Sequence, residues 1–283
     1  MRPPRLFQIL WYVTDAILIV SFICAGYAAV WEYSTRSYLK GFSDAIVPSS
    51  GTPEEKIEAI MNWMGHGPAR RSAAPASTLA DRNPEDTLNY QGLLTVCGTA
   101  TNAFVNLAES SGLQARRLLL LDAQLQSKHV VSEVLVDGRW IVVDPSYRLI
   151  FRDSQGQTLT RQQLQNPTIF REATSVIPGY PQDYTYERAV HVRLSRLPLS
   201  RKYFHLRRWL NHFWPNWEEA VNWTYILERE SFALLLSSCI VFCLALLFRL
   251  LLSWYGSRRL GIRRVRFRDQ LHRAGAILFS QAK

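Results

Sequence analysis

The sequence predicts an α+β domain, with helices packed on an antiparallel sheet and a transmembrane helix on either side. Three features of the 283-residue chain carry this prediction. Two long apolar stretches lie near its ends. Between them, one capped helix is followed by a second helix that opens on a cysteine. After these comes a strand–Asp-Gly–strand pattern, which marks a hairpin.

The first apolar stretch, Leu6 to Val30, holds Asp15 as its only charge. At ~1.5 Å per residue it can cross a hydrocarbon core of ~30 Å. A cleaved signal peptide is the competing reading, because Arg2 and Arg5 precede the stretch and Ala25, Gly26, Ala28 and Ala29 resemble a cleavage site. The length favours a retained anchor. The second stretch, Phe232 to Leu252, is apolar apart from Arg249, Cys239, Cys243 and two serines. Asp15 and Arg249 would both lie toward the cytoplasmic ends of their spans, where an ion pair would lower the cost of burying each.

These features divide the chain into transmembrane helix 1 over 6–30, an extracytoplasmic domain over 31–200, an aromatic and basic juxtamembrane segment over 201–230, transmembrane helix 2 over 231–254 and a basic tail over 255–283. The tail from Tyr255 carries eight Lys/Arg and one acid, Asp269. With Arg2 and Arg5 at the other end, the positive-inside rule places both termini in the cytoplasm of a two-pass inner- or plasma-membrane protein. Residues 31–230 hold 22 Lys/Arg against 21 Asp/Glu, so the net charge of +10 resides mostly in the tail. Anionic lipid headgroups are the expected partner of that charge, and nucleic acid is not. The twin spans permit a dimer or a larger membrane complex.

Along the external domain, Glu32 to Ser50 reads as a mixed connector. Thr52-Pro53-Glu54-Glu55 forms a capping box with Pro at the first helical position, and Ile57, Ile60, Met61 and Met64 follow on one face. Pro68 to Asn89 has weak periodicity and several breakers, and reads as a long loop or surface linker. Cys97 then opens a helix with Ala103, Phe104, Leu107 and Ala108 at helical spacing and Gly112 as its stop. Ala115 to Ala123 is strand-like. His129 to Val136 alternates as a strand, Asp137-Gly138 turns it, and Trp140 to Val143 returns to Asp144-Pro145. The hairpin therefore brings His129 beside Asp144, with a small offset that a slanted register or a bulge would absorb. Farther on, Gln155 to Asn166 suggests a hairpin tip and a short helix. Tyr184 to Leu194 alternates as a strand in which His191 is structural. Arg201 to Tyr225, with four of the nine tryptophans, reads as an interfacial segment or, alternatively, a partner groove.

The cysteines sort by place. Cys24, Cys239 and Cys243 fall in the spans as apolar fillers. Cys97 is alone in the external domain, where an unpaired thiol invites a functional explanation. No CxxC pair or cluster of calcium-ligand residues is visible, and no cofactor or metal is predicted. A thiol at a helix N-terminus gains from the helix dipole as thiolate, a His on a neighbouring strand can serve as its base, and an Asp on the next strand can hold the imidazole by its other nitrogen.

At these residues the sequence resembles the transglutaminase-like superfamily of papain-like cysteine enzymes. The resemblance runs from about Tyr90 to Tyr147. It combines the helix-opening Cys97, "SGLQARRL" at Ser111 to Leu118, and "HVVSEVLVDGRWIVVDPS", similar to the family's His-x-x-x-Glu-Val, Gly-x-Trp and Asp-Pro pattern. It implies Cys97 as nucleophile, His129 as base and Asp144 as the orienting acid. Thr95 and Val131 depart from the family's usual Gly and aromatic, which leaves substrate scope open. The backbone N–H of Cys97 is the expected oxyanion donor. Gln91, at the place where papain-like enzymes set a side-chain donor, or Tyr90 is the candidate second one; the alternative is that both only line a loop. The expected chemistry is acyl transfer or hydrolysis of peptide or amide bonds through a thioester, with hydrolysis favoured. The alternative is a non-catalytic scaffold that binds a peptide or cell-envelope component, or a membrane-assembly protein that works through its spans and tail.

Overall fold

The structure, a computed structural model, describes residues 4–67, 83–90, 92–191, 211–214 and 224–260. Two long helices lead into and out of it, α1 (Arg5–Ile46) and α8 (Glu230–Arg258). The chain divides into two compact units. One takes α1 through Ala28 with α8 from Leu234, and the other is Ala29–Ala233.

In the first unit both helices are long and apolar enough to cross a membrane. Ile9, Val13, Ile19, Phe22, Leu244 and Leu247 are exposed on them. This fits a two-pass membrane protein. Arg249 Nε donates to Asp15 Oδ1 at 2.6 Å, and the guanidinium lies over the Trp11 ring. The ion pair expected between the spans is therefore formed.

Glu32 to Ile46, expected as part of a mixed connector, continues helix α1. No proline interrupts this stretch before Pro48. Arg36 reaches from solvent to the buried Glu32 carboxylate, and Lys40–Asp44 is an exposed ion pair, both at i,i+4 spacing. Leu39, Phe42 and Ile46 form an apolar stripe that packs into the core. Then α2 (Pro53–His66) starts on the full Thr52/Glu55 capping box, as expected, and buries Ile57, Ile60, Met61 and Met64. Within the stretch expected as a loop, Asn83 caps a short helix α3 (Pro84–Leu88). Residues 68–82 of that stretch lie outside the described residues.

α4 (Cys97–Ser110) follows and ends in a left-handed Gly112. Next come β1 (Ala115–Leu121), β2 (Ser127–Val136), β3 (Arg139–Asp144) and β4 (Leu149–Ile150). The short helices α5 (Arg161–Leu164) and α6 (Pro167–Thr174) precede β5 (Ala189–His191). α7 (Thr224–Glu228) leads into α8. The strand expected from Tyr184 thus starts five residues late, because a turn closed by Tyr184 N–H on the Pro181 carbonyl precedes it. Residues 192–194 of that expected strand, and most of the juxtamembrane segment and the tail, lie outside the described residues.

Among the described residues the strands form one antiparallel sheet ordered β4-β3-β2-β1-β5. One face carries Val134, Val136, Ile141 and Val143 against α4, α2 and the end of α1. The other carries Leu118, Val131 and Val142 against Phe151, Phe170, Tyr180 and Tyr186. Cover on both faces is why β2 is buried at nearly every position rather than at alternate ones. Asp137 (φ 49°) and Gly138 (φ 76°) both take the left-handed conformation of a two-residue hairpin turn. This turn sets β2 against β3, with Ser132 opposite Val143.

Candidate functional site

α4 opens on Cys97 after a tight turn, in which Thr95 N–H and Thr95 Oγ1 both donate to the Gly92 carbonyl at 2.9 and 2.7 Å. The N-cap residue, Val96, is extended and offers no side-chain cap. No N-cap side chain therefore takes up the helix's first amides, and a developing negative charge is favoured at that end. Thr101 Oγ1, one turn in, donates to the Val130 carbonyl at 3.2 Å and fixes α4 to β2. Cys97 is thereby set against the start of β2, half-buried.

His129 lies on β2 and is 3% exposed. Continuing the β2–β3 register by one residue sets Asp144 opposite Val131. His129 is two residues farther along β2 on the same face, so it meets Asp144 as a diagonal cross-strand neighbour, within reach of an imidazole. The offset anticipated from the sequence is met by this diagonal reach. The irregularity in β2's pairing falls on its other edge, between Leu120 and Leu121 of β1.

Asp144 is fully buried and uses both oxygens. Oδ1 accepts from the Ser146 and Tyr147 amides at 3.1 and 3.4 Å. Oδ2 is 2.7 Å from His129 Nε2 and accepts from the Tyr180 hydroxyl at 2.7 Å. With Nε2 held there, Nδ1 is the ring nitrogen left to act on Cys97, whose thiol is electrostatically coupled to His129. The Tyr184 ring stacks on the imidazole at 4.2 Å and 8°, and Tyr147 meets it edge-on at 6.0 Å.

The electrostatics follow from this packing. Burial pushes the Cys97 thiol up, but the hydrogen bond and charge of His129, with the Val130 and Gly98 amides, outweigh it and hold the thiol below its ordinary value. Burial likewise opposes charge on His129, yet its bonds to Asp144 and Cys97 push it up to about 9. The two groups titrate as one pair, and each favours the charged form of the other. Burial and the neighbouring Asp144 carboxylate keep Tyr180 a neutral donor far above the ordinary tyrosine range. This arrangement can hold a thiolate beside an imidazolium in a largely water-excluded site, which is what nucleophilic attack by sulfur requires.

The Tyr90 ring folds over Gly92, where a Cβ would fall 2.7 Å from it. Gln91 lies outside the described residues. His191 bonds to Glu133 at 2.6 Å, and Arg116 bonds to the same carboxylate at 2.8 Å beneath Trp140. Among the described residues, no group of three His, Cys, Asp or Glu side chains could hold a metal ion.

A second polar layer backs α4. Arg117 Nη2 donates to the Gly98 carbonyl at 2.8 Å and to Glu228 Oε2 at 3.1 Å. Asn102 Nδ2 donates to the same Glu228 oxygen at 2.7 Å. Arg229 bonds Asn106 at 2.6 Å and Glu32 at 3.2 Å, and Ser231 bonds Glu32 at 2.7 Å. All but Arg117 are buried. Sequence reasoning missed this layer and the tyrosines 180 and 184. The tyrosines had a faint signal in the dense aromatic run "GYPQDYTY".

Comparison with curated proteins and with solved structures returns no match. A family model does match. Residues 40–145 fit that of the transglutaminase-like superfamily, a span that holds Cys97, His129 and Asp144 and stops short of Tyr147, Tyr180 and Tyr184. Helix α4 opening on a thiol, the hairpin that carries His129 and Asp144, and this match together make the chain one that carries a transglutaminase-like domain.

Proposed function

We propose that the protein is a membrane-anchored cysteine enzyme that attacks amide carbonyls through Cys97. The observation that carries this reading is the buried His129–Asp144 pair beside the uncapped start of α4, where His129 favours the thiolate of Cys97. The Cys97 thiolate adds to the carbonyl carbon, and the oxyanion forms beside the Cys97 N–H, with Gln91 or Tyr90 as the side-chain donor. His129 gives its proton to the leaving nitrogen as the C–N bond breaks, and a thioester remains. His129, now neutral, takes a proton from water or from an amine as either attacks the thioester, and sulfur departs as thiolate. Water gives a carboxylic acid and an amine gives a new amide; hydrolysis is the favoured outcome for a peptide or protein substrate. Asp144 keeps the imidazole in the required orientation throughout. Both termini lie in the cytoplasm and the domain lies outside it, with the basic tail against anionic headgroups.

The test is alkylation of the full-length, detergent-solubilised protein between pH 4 and 9, comparing wild type, His129→Ala and Cys97→Ala. An ordinary thiol, with a pKa of ~8.5, is only about 0.3% thiolate at pH 6. Cys97 is therefore expected to react about 100-fold faster in wild type than in His129→Ala at that pH. Cys97→Ala reports the background from Cys24, Cys239 and Cys243. A wild-type profile that follows an ordinary thiol would turn the reading toward the non-catalytic scaffold.

A further inference from the structure

The matched family core ends at residue 145, yet His129 and Asp144 are enclosed by side chains that come after it. Tyr180 and Tyr184 both arise from the turn-rich segment between α6 and β5. Tyr180 is buried among Phe151 and Phe170 and reaches Asp144 with its hydroxyl. Tyr184 covers one face of the His129 ring. The rings of Tyr180 and Tyr184 also meet edge-to-face, so the segment grips the imidazole–carboxylate pair as one unit.

We propose that Tyr180 and Tyr184 are positioning residues of the site, in which the Tyr180 hydroxyl shares Asp144 Oδ2 with His129 and the Tyr184 ring stacks on the imidazolium. The proposal rests on the thiolate–imidazolium reading given above. The two residues act in opposite senses. An acceptor that serves two donors lends less negative charge to each, so the Tyr180 hydroxyl restrains the pull of Asp144 on the His129 proton. A ring over an imidazolium instead stabilises the cation. The other titratable groups around His129 are Cys97 from α4, Asp144 from β3 and Tyr147 from the turn after it. Asp183 lies nearby, paired with Lys128. Neither tyrosine hydroxyl titrates over the working range, since burial holds Tyr180 and Tyr184 above the ordinary tyrosine value.

The test uses the full-length protein and the pH profile of Cys97 alkylation with iodoacetate, whose anion reacts best while the imidazolium is present. The acid limb then reports the thiol and the alkaline limb the imidazole. Tyr180→Phe keeps the buried ring and removes only the hydroxyl, and is expected to move the alkaline limb up by about 0.5–1 pH unit, a part of the roughly 1–2 units that one hydrogen bond to the Asp144 carboxylate is worth, since it reaches His129 only through Asp144. Tyr184→Leu is expected to move the same limb down by a similar amount, and Tyr184→Phe to restore it. A packing role alone would give no shift, or shifts of one sign that track loss of thermal stability. Either result would overturn the proposal while leaving the wild-type profile, and with it the proposed function, intact. Should Tyr184→Leu fail to fold, Tyr180→Phe and Tyr184→Phe still decide, because the first must shift the limb and the second must not. An ordinary thiol profile in wild type would overturn both readings together.

Discussion

Glu32 is the most informative single position for stability. It sits on α1 with its side chain 4% exposed and accepts from Arg229, Ser231 and Arg36. Replacing it with Ala removes all three bonds. Arg229, 6% exposed, is left as a buried cation whose remaining partners are Asn106 and the Tyr225 ring. Removing one partner of a buried pair costs about 3–5 kcal/mol, out of a total stability of about 5–15 kcal/mol. For a unit the size of Ala29–Ala233, each kcal/mol corresponds to about 2–4 °C in Tm, so the expected drop is about 6–20 °C. The double variant Glu32→Leu/Arg229→Met removes both charges and leaves only neutral groups to find new partners. It is therefore expected to be more stable than either single change. Intrinsic tryptophan fluorescence during heating of the detergent-solubilised full chain measures Glu32→Ala, Glu32→Leu, Arg229→Met and the double variant at one scan rate. Single variants within about 0.5 kcal/mol of wild type, or strictly additive effects in the double, would refute the argument that these charges are buried and coupled.

Three further outcomes are expected. Asp15→Asn should destabilise the helix pair on the scale of about 2.5–3.5 kcal/mol for an uncompensated charge in a bilayer, and Asp15→Arg/Arg249→Asp should recover most of the loss; a swap no better than the singles would show that the two do not pair. His129 is raised from 6.5 to about 9, so its contribution to stability is fully present below about pH 6.5 and fades as pH rises through 9; the difference in unfolding midpoint between wild type and His129→Gln should shrink over that window, and a difference that grows with pH would reverse the assigned sign. Gly138→Val places a β-branched side chain at φ 76°, with an expected cost of about 1–2 kcal/mol or more, and by disturbing the β2–β3 register it should slow Cys97 alkylation at pH 6 although the residue lies at the far end of the hairpin; unchanged labelling would show that the turn does not set the His129–Asp144 alignment.

What the sequence made legible was local. The α2 capping box, the Cys97-led helix and the Asp-Gly hairpin each advertise themselves within a few residues, and the structure places Cys97, His129 and Asp144 together on those elements. What it hid was of two kinds. Leu39, Phe42 and Ile46 hold a helical stripe, but the charges between them and the end of the apolar run before them made the stretch look like a connector. Tertiary packing and i,i+4 pairs decide such a segment, and neither is a composition signal. The second kind is long-range. Asn102 meets Glu228, and Asn106 meets Arg229, across more than a hundred residues, and no periodicity records that. Tyr184 was hidden for a different reason, since the alternation around it fits a strand as well as it fits the turn that aims its ring at His129.

The polar layer behind α4 also fixes where the folded unit can be cut. A fragment trimmed to the family match at 40–145 would keep Arg117, Asn102 and Asn106 and discard Glu32, Glu228 and Arg229, which satisfy them. It would also discard Tyr180 and leave Asp144 short of a donor. Adding residues back only from the C-terminal side to 200 would still omit both helix ends. The two long helices do not end where the domain begins: α1 beyond Ala28 and the first turn of α8 belong to the same unit as the sheet. A break in the chain between β5 and α7 would leave Glu228, the counter-ion that holds Arg117 on the first turn of α4, tied to the sheet only through side-chain contacts.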